Sequence, residues 1–391
     1  MKNKLSLFTL IGLLAGILFG LLAQQQYIST IAPIGTLYIT ILKYMAVPVV
    51  FTSITVSVFN SIKLNNKLIP KTLLTFALMF IATFLLSSAI VMVINPANRF
   101  VLESTEWNGS TANLNIGNML LNLLPKNLNK FLTGGYLFFT ILISFVMGLV
   151  CNYTNYGQNI INVISKVRDF LIKILDYFMW VSPIAVFALI SNTVATYGPI
   201  VVGVGTKYIL TAYICTIIAL VVIMILPILL ICKISPKTFI KKVYKIWLIT
   251  LSTCSSAATL PYTIKTCKEE FNIPEEVTDV VVPLGTTIHM CGGAVSFALL
   301  GLFCAKLFSI EITFTKYLMM LFFAMMINMA APGIPNGGVV IGATYLQLLG
   351  IPLDFIGFYS GIYKLLDMVY TSLNVTDDIA SNVIINYLRE N

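Results

Sequence analysis

The chain has 391 residues, 58% of them hydrophobic and only 10% charged, with a net charge of +9 and a mean hydropathy of +0.93. A soluble domain carries roughly 25% charged residues, so a soluble enzyme is excluded and an all-α polytopic membrane protein is indicated. The positive balance does not point to nucleic acid, because the lysines sit in short loops between apolar runs, as the positive-inside rule describes.

The first apolar run, residues 5–23, follows Lys2 and Lys4. No convincing small-residue cleavage site ends it, and it is long enough to stay as a helix. A second run, 31–59, contains Lys43 and Pro48 and leads into a basic loop with Lys63, Lys67 and Lys71. A third, 72–94, stops at Asn95-Pro96, and the polar stretch 97–115 reads as an external loop. Residues 118–151 are apolar but broken by Pro125, Lys126, Lys130 and Gly134-Gly135. A fifth span is expected over 170–195 and a sixth over 209–231, followed by the strongest basic loop, Lys233, Lys237, Lys241, Lys242 and Lys245. Basic residues thus cluster at the N-terminus and after the second, fourth and sixth spans, which places both termini in the cytoplasm of an inner (plasma) membrane protein.

Beyond residue 245 the ordinary spans stop. Residues 246–264 are apolar at both ends but carry Thr-Cys-Ser-Ser-Ala-Ala-Thr-Leu-Pro through the middle, ending at Pro261. Such backbone is tolerated at membrane depth only where it is buried in protein or lines a cavity, so this is read as a re-entrant hairpin. Residues 277–303 form a span expected to break at Gly285 and at Gly292-Gly293, and they hold the only histidine, His289. Residues 317–349 are a second hairpin candidate with a Gly/Pro-rich tip at 330–338, and 351–388 form a long last segment. Hairpin followed by broken or polar helix occurs twice, the pattern of a transporter built from inverted repeats with its site at the midplane.

On the last segment Asp367, Thr371, Asn374 and Asp378 follow i, i+4, i+7, i+11 spacing and share one helix face. A carboxylate at the bilayer centre costs about 2.5–3.5 kcal/mol on insertion scales. Two on one stripe therefore call for a water-filled cavity, a cation or a cationic ligand group. The seven cysteines, 151, 215, 232, 254, 267, 291 and 304, form no C-x-x-C pair and read mostly as buried thiols. Cys254 and Cys291 are set apart by lying in the polar island. A single histidine, with no H-E-x-x-H and no G-x-S-x-G, leaves an intramembrane enzyme without support.

Four motifs in order resemble the dicarboxylate/amino acid:cation symporter family, the glutamate-transporter group. They are Cys254-Ser255-Ser256-Ala257-Ala258-Thr259-Leu260-Pro261, His289-Met290-Cys291-Gly292-Gly293, Gly333-Ile334-Pro335-Asn336-Gly337-Gly338, and the set Asp367, Tyr370, Thr371, Asn374, Val375, Asp378. The resemblance implies about eight transmembrane helices plus two re-entrant hairpins, a homotrimer, and a division of the chain. Residues 1–69 would be scaffold helices 1–2, 70–98 transport-domain helix 3, 99–202 the external loop and scaffold helices 4–5, and 203–391 the transport domain.

It also implies roles. Ser255, Ser256 and the second tip (Gly333, Ile334, Pro335, Gly337 and Gly338) would hold the α-carboxylate of an amino acid substrate, with help from Asn374. Asp367 would pair with its ammonium beside Thr371. Asp378 and the carbonyls of Gly285, His289 and Asn374 would hold one Na⁺, and a second would lie near Thr287 and Ala330. No cofactor is implied beyond the coupling ion, Na⁺ and/or H⁺.

The departures from the family pattern carry their own expectations. Tyr370 stands where acidic-substrate members have an arginine, whose fork pairs with a carboxylate bidentately, and Gly293 stands where the motif has threonine. Together they predict a neutral, polar or cystine-like substrate, against the alternative of an acidic substrate held by a pocket without arginine. A third cation site looks dismantled: His289 replaces its asparagine, Cys291 its aspartate, and Phe76, Met79 and Phe80 its hydroxyl residues. His289 then either carries a proton or is a neutral ring bonded to a backbone carbonyl. Lys364 either pairs with Asp367, faces an anionic substrate group, or snorkels. A channel or sensor that has kept the fold is the rival of a different class.

Overall fold

The computed structural model describes residues 2–63, 68–98, 137–197, 200–329 and 337–390, and among them every regular element is a helix. In chain order these are α1 (Lys2–Leu22), α2 (Gln25–Lys63), α3 (Leu68–Ile94), α4 (Leu137–Tyr153), α5 (Gly157–Phe178) and α6 (Ser182–Tyr197). There follow α7 (Ile200–Ala219), which runs through a π segment (Leu220–Ile225) into α8 (Leu226–Leu230), then α9 (Pro236–Thr253) and α10 (Ser256–Lys265). The last five are α11 (Glu275–Ile288), α12 (Cys291–Leu307), α13 (Phe314–Asn328), α14 (Gly337–Leu348) and α15 (Ile356–Glu390). Runs long and apolar enough to cross a membrane cover Leu68–Ile94, Gly203–Leu230 and Glu275–Leu307, and shorter apolar helices surround them. The chain is an all-α, multi-span membrane protein.

Helix starts follow local chemistry. Ser235 caps α9 by accepting from the Thr238 N–H at 3.3 Å, with Pro236 at the first helical position. Thr313 does the same for α13 through the Lys316 N–H at 3.3 Å. Pro227 has no N–H to donate, and the helix accommodates it through the π segment just before it.

Three expectations change. The fifth span does not run straight over 170–195. Residues 157–178 form α5, whose face carrying Lys166, Arg168, Asp169 and Lys173 alternates with an apolar one, and a 3₁₀ turn at Met179–Val181 re-aims the chain into α6 at Ser182-Pro183. The helix that begins the polar island starts at Pro236, ten residues before the expected 246. The third change is the break near His289, which falls at neither glycine site. α11 runs to Ile288, His289 and Met290 are extended, and α12 resumes at Cys291. Gly285, Gly292 and Gly293 lie inside helices because neighbours press on them. A Cβ there would strike the Asp378 carboxylate, the Tyr370 backbone carbonyl and Asn328 Oδ1 respectively.

Two groups of helices emerge. α1 packs along α6, and α2 packs against α4, α5 and α6. The first contact is close because Gly12, Gly16 and Gly20, spaced four apart, face the backbone of Pro183, Phe187 and Ser191, the small-xxx-small device of membrane helices. In the second group α15 is the axis, touching α3, α7, α9, α10, α11, α12 and α14. Side chains tie it on all sides. Trp247 Nε1 donates to Thr376 at 2.8 Å, Thr250 and Ser372 hydroxyls lie 2.7 Å apart, Asn382 Nδ2 donates to Thr278 at 3.1 Å, and Tyr213 donates to the Leu365 carbonyl at 3.0 Å. α15 can be polar around its circumference because protein, not lipid, surrounds it.

Candidate functional site

The site forms where two interrupted helices meet α15. α9 ends at Cys254 in the left-handed conformation (φ 49°), and α10 starts two residues later. The turn aims the α10 N-terminus, with its positive dipole end, into the protein. Ser256, the first residue of α10, is buried. Ser255 is buried too, but its Oγ accepts from the Ala258 N–H at 3.2 Å as the helix cap. Its hydroxyl is therefore partly committed to the turn, and Ser256 is the freer of the two.

On α15, Thr371 donates to Asp367 Oδ1 at 3.2 Å, and both are buried. Asn374 Oδ1 accepts from the Gly292 N–H at 2.7 Å, which fixes the start of α12 to α15. Gly293 sits against Asn328 Oδ1, and Asn328 Nδ2 donates to the Ile288 carbonyl at 3.4 Å, so Asn328 supports the break from α13. Lys364 reaches the Cys254 thiol, and Asp367 lies near the same sulfur. The face of Lys364 is thus turned to the α9–α10 turn. Tyr370 is buried beside Ser296 and Tyr359. Gly338, at the start of α14, meets the Tyr363 hydroxyl, and the rest of the expected second tip (Ala330, Gly333, Ile334, Pro335) lies outside the described residues.

The structure brings together Gly285 and Asp378: a side chain at Gly285 would meet Asp378 Oδ1. That oxygen is buried and among the described residues has no hydrogen-bond partner, while Oδ2 accepts from Thr286 Oγ1 at 3.1 Å. Thr287, expected near a cation, is exposed and bonds back to the Leu284 carbonyl at 2.8 Å; Thr286 is the threonine at the carboxylate. The extended backbone at His289 takes its carbonyl out of the helical ladder beside this pair.

One residue was missed. Asp377 is fully buried, and its Oδ2 lies 3.0 Å from His289 Nε2. The expected backbone-carbonyl partner of a neutral His289 is therefore not what the ring faces. The signal was the Asp377-Asp378 doublet in an apolar context, eclipsed by the stripe through Asp378. Of the α3 residues named above, Phe76 stacks on His289 at a centroid distance of 4.1 Å and an angle of 10°, and Met79 Sδ accepts from Ser381 at 3.2 Å.

Comparison with known proteins agrees with the motifs. A match to the sodium:dicarboxylate symporter family covers residues 5–388. The chain is 24% identical over 390 residues to the proton/sodium-glutamate symport protein of Geobacillus stearothermophilus, covering 96% of this chain and 92% of that one. It is 24% identical to the proton/glutamate-aspartate symporter of Escherichia coli K12 over 92% of this chain and 85% of that one. It is 27% identical to human excitatory amino acid transporter 1 over 68% of this chain and 49% of that one. The two bacterial relatives carry glutamate, or glutamate and aspartate, by name, and they overturn the expectation of a neutral, polar or cystine-like substrate drawn from Tyr370 and Gly293. The physical reason is that an arginine missing from one face of α15 does not leave the helix without a cation, since Lys364 stands on another face at the α9–α10 turn. With the family match spanning nearly the whole chain, this protein belongs to the sodium:dicarboxylate symporter family and is a secondary, ion-coupled membrane transporter rather than an enzyme.

Proposed function

We propose that the protein carries a dicarboxylate or acidic amino acid across the membrane together with Na⁺, H⁺ or both, using a side-chain pocket without arginine. The observation that carries this reading is the approach of Lys364 and Asp367 of α15 to Cys254, the turn residue just ahead of the α10 N-terminus, with Thr371 bonded to Asp367 and Asn374 bonded to the start of α12. The helix end and Asn374 suit an α-carboxylate, Asp367 suits an ammonium, and Lys364 is the cation for the second carboxylate. The buried Tyr370 hydroxyl is a second donor. The names of the bacterial relatives favour the same substrate class.

Asp378 Oδ1, buried and without a partner, is where a Na⁺ would complete the set with the Gly285, His289 and Asn374 carbonyls. An unpaired buried carboxylate is costly enough to call for such a cation. In this reading α9–α10 and α13–α14 are re-entrant hairpins, α11–α12 is a broken helix, and the chain holds about eight spans arranged as inverted repeats. α1, α2 and α4–α6 form a trimerising scaffold, and α3 with α7 onward forms the moving body. Both termini face the cytoplasm. The packing of α1 and α2 with α4–α6, and of α15 with most of the remainder, supports that division.

The test is Na⁺-dependent ligand binding by the purified protein, read as a thermal shift with aspartate, glutamate, succinate and serine in Na⁺ and in choline buffer. An acidic ligand that stabilises the protein, with Na⁺ or low pH strengthening the shift, is expected. Stabilisation by serine alone would contradict the reading.

A further inference from the structure

The break between α11 and α12 holds a cluster that carboxylate and Na⁺ binding do not use. His289 Nε2 lies 3.0 Å from Asp377 Oδ2 and 3.6 Å from Cys291 Sγ. The three ligand atoms lie within 4.8 Å of one another, and all three side chains are at most 1% exposed. Nε2 can carry only one proton, yet it faces two ligand-type atoms. Asp377 Oδ2 faces the His289 ring, and among the described residues Oδ1 has no hydrogen-bond partner, although Asp377 is fully buried. A hydrogen-bonded His–Asp pair would leave at least one of these oxygens unsatisfied at depth, which is costly.

One imidazole nitrogen, one thiolate and one carboxylate are the ligand set of a borderline-soft divalent ion, whereas Na⁺, Mg²⁺ and Ca²⁺ take oxygen. Tetrahedral zinc with ordinary bond lengths sets ligand atoms about 3.3–3.6 Å apart, close to the spacing of Nε2 from its two neighbours. Thiolate and carboxylate together bring two negative charges, which a divalent ion neutralises. Phe76, stacked on the imidazole, holds the ring in place and keeps the site dry.

We infer that His289, Cys291 and Asp377 form a buried site for a divalent cation of the zinc class, which fastens α15 to the α11–α12 break. Binding proceeds with loss of the Cys291 thiol proton to solvent, and no redox change is involved.

The experiment uses the full-length protein in detergent, freed of metal with a chelator and titrated with Co²⁺ and then Zn²⁺. Thiolate-to-cobalt charge-transfer absorption at one ion per chain, bleached by Zn²⁺, is expected. Cys291→Ser should abolish that absorption, and His289→Gln and Asp377→Asn should each weaken Zn²⁺ binding roughly 100-fold or more, since even outer-shell partners of a metal site are worth 10–100-fold. Cys304→Ser, which removes a buried thiol elsewhere on α12, should leave the titration unchanged. Absence of the absorption in the unaltered protein would overturn the site whatever the variants do. So would stoichiometric Zn²⁺ binding that survives Cys291→Ser, His289→Gln and Asp377→Asn alike.

Discussion

In the proposed reading Asp378 and Lys364 divide the work of charge at the site. Asp378 is buried with one oxygen unpartnered, so Asp378→Asn should fold and yet raise the Na⁺ concentration needed for half-maximal uptake by about tenfold or more, the equivalent of roughly 1.4 kcal/mol. An unchanged Na⁺ dependence in flux assays would remove Asp378 from the cation site. Lys364 beside Cys254 should matter to substrates with a second carboxylate. A hydrogen bond to a charged group is worth about 1.5–3 kcal/mol, so Lys364→Met should raise the aspartate KM by between roughly ten- and a hundredfold. Lys364→Arg should keep most of the affinity. Equal losses for aspartate and serine would instead show a general defect. At this scale the Asp367–Asp378 stripe was legible because carboxylates in a greasy helix stand out. Asp377 was not, because it projects from α15 at an angle to that stripe, and only the fold shows which helix it meets.

At the scale of elements, glycine was the misleading letter. Glycines at 285, 292 and 293 suggested interruptions, but each lies within a helix where another chain segment comes too close for a side chain. The true interruption, His289–Met290, contains neither Gly nor Pro, and nothing local in the sequence marks it. Gly292→Ala should therefore destabilise the fold by about 1–3 kcal/mol, as overpacking does, through its clash with the Tyr370 backbone. Measured thermal stability equal to the unaltered protein would show that α12 and α15 can part freely. The far end of the α10 arm is tied down in a different way. Lys268 Nζ lies 3.0 Å from Asp279 and 3.2 Å from Glu275, and its hydrogen bond to Asp279 is the main reason its ammonium is held above the ordinary lysine range. A raised lysine gives its contribution below its ordinary pKa and loses it as pH rises through the folded value. This tie should thus be unaffected across neutral pH and loosen in strong alkali, a trend that protease sensitivity of the α10–α11 connection can follow.

For the whole molecule, apolar composition and basic-loop spacing made the membrane class and the helix order readable, because lipid leaves few options for backbone. How the helices sort into two groups was not readable, since it depends on side-chain fit such as Gly12, Gly16 and Gly20 of α1 against α6. Where the groups touch, Gly357 and Gly361 of α15 meet Leu189 of α6 and Leu13 of α1. Small residues against aliphatic ones make a contact with few directional bonds. If the second group moves past the first, a disulfide between Leu13→Cys and Gly361→Cys should stop uptake, and a reductant should restore it.

The proposed activity is ion-coupled uptake of an acidic substrate. It is tested most directly by reconstituting the protein in liposomes and following labelled aspartate and glutamate, with Na⁺ and pH gradients imposed separately. Accumulation above the external concentration is expected under at least one inward gradient, with collapse when the gradient is dissipated and competition by acidic but not neutral amino acids. Equilibration without accumulation under either gradient, or uptake confined to neutral amino acids, would contradict it.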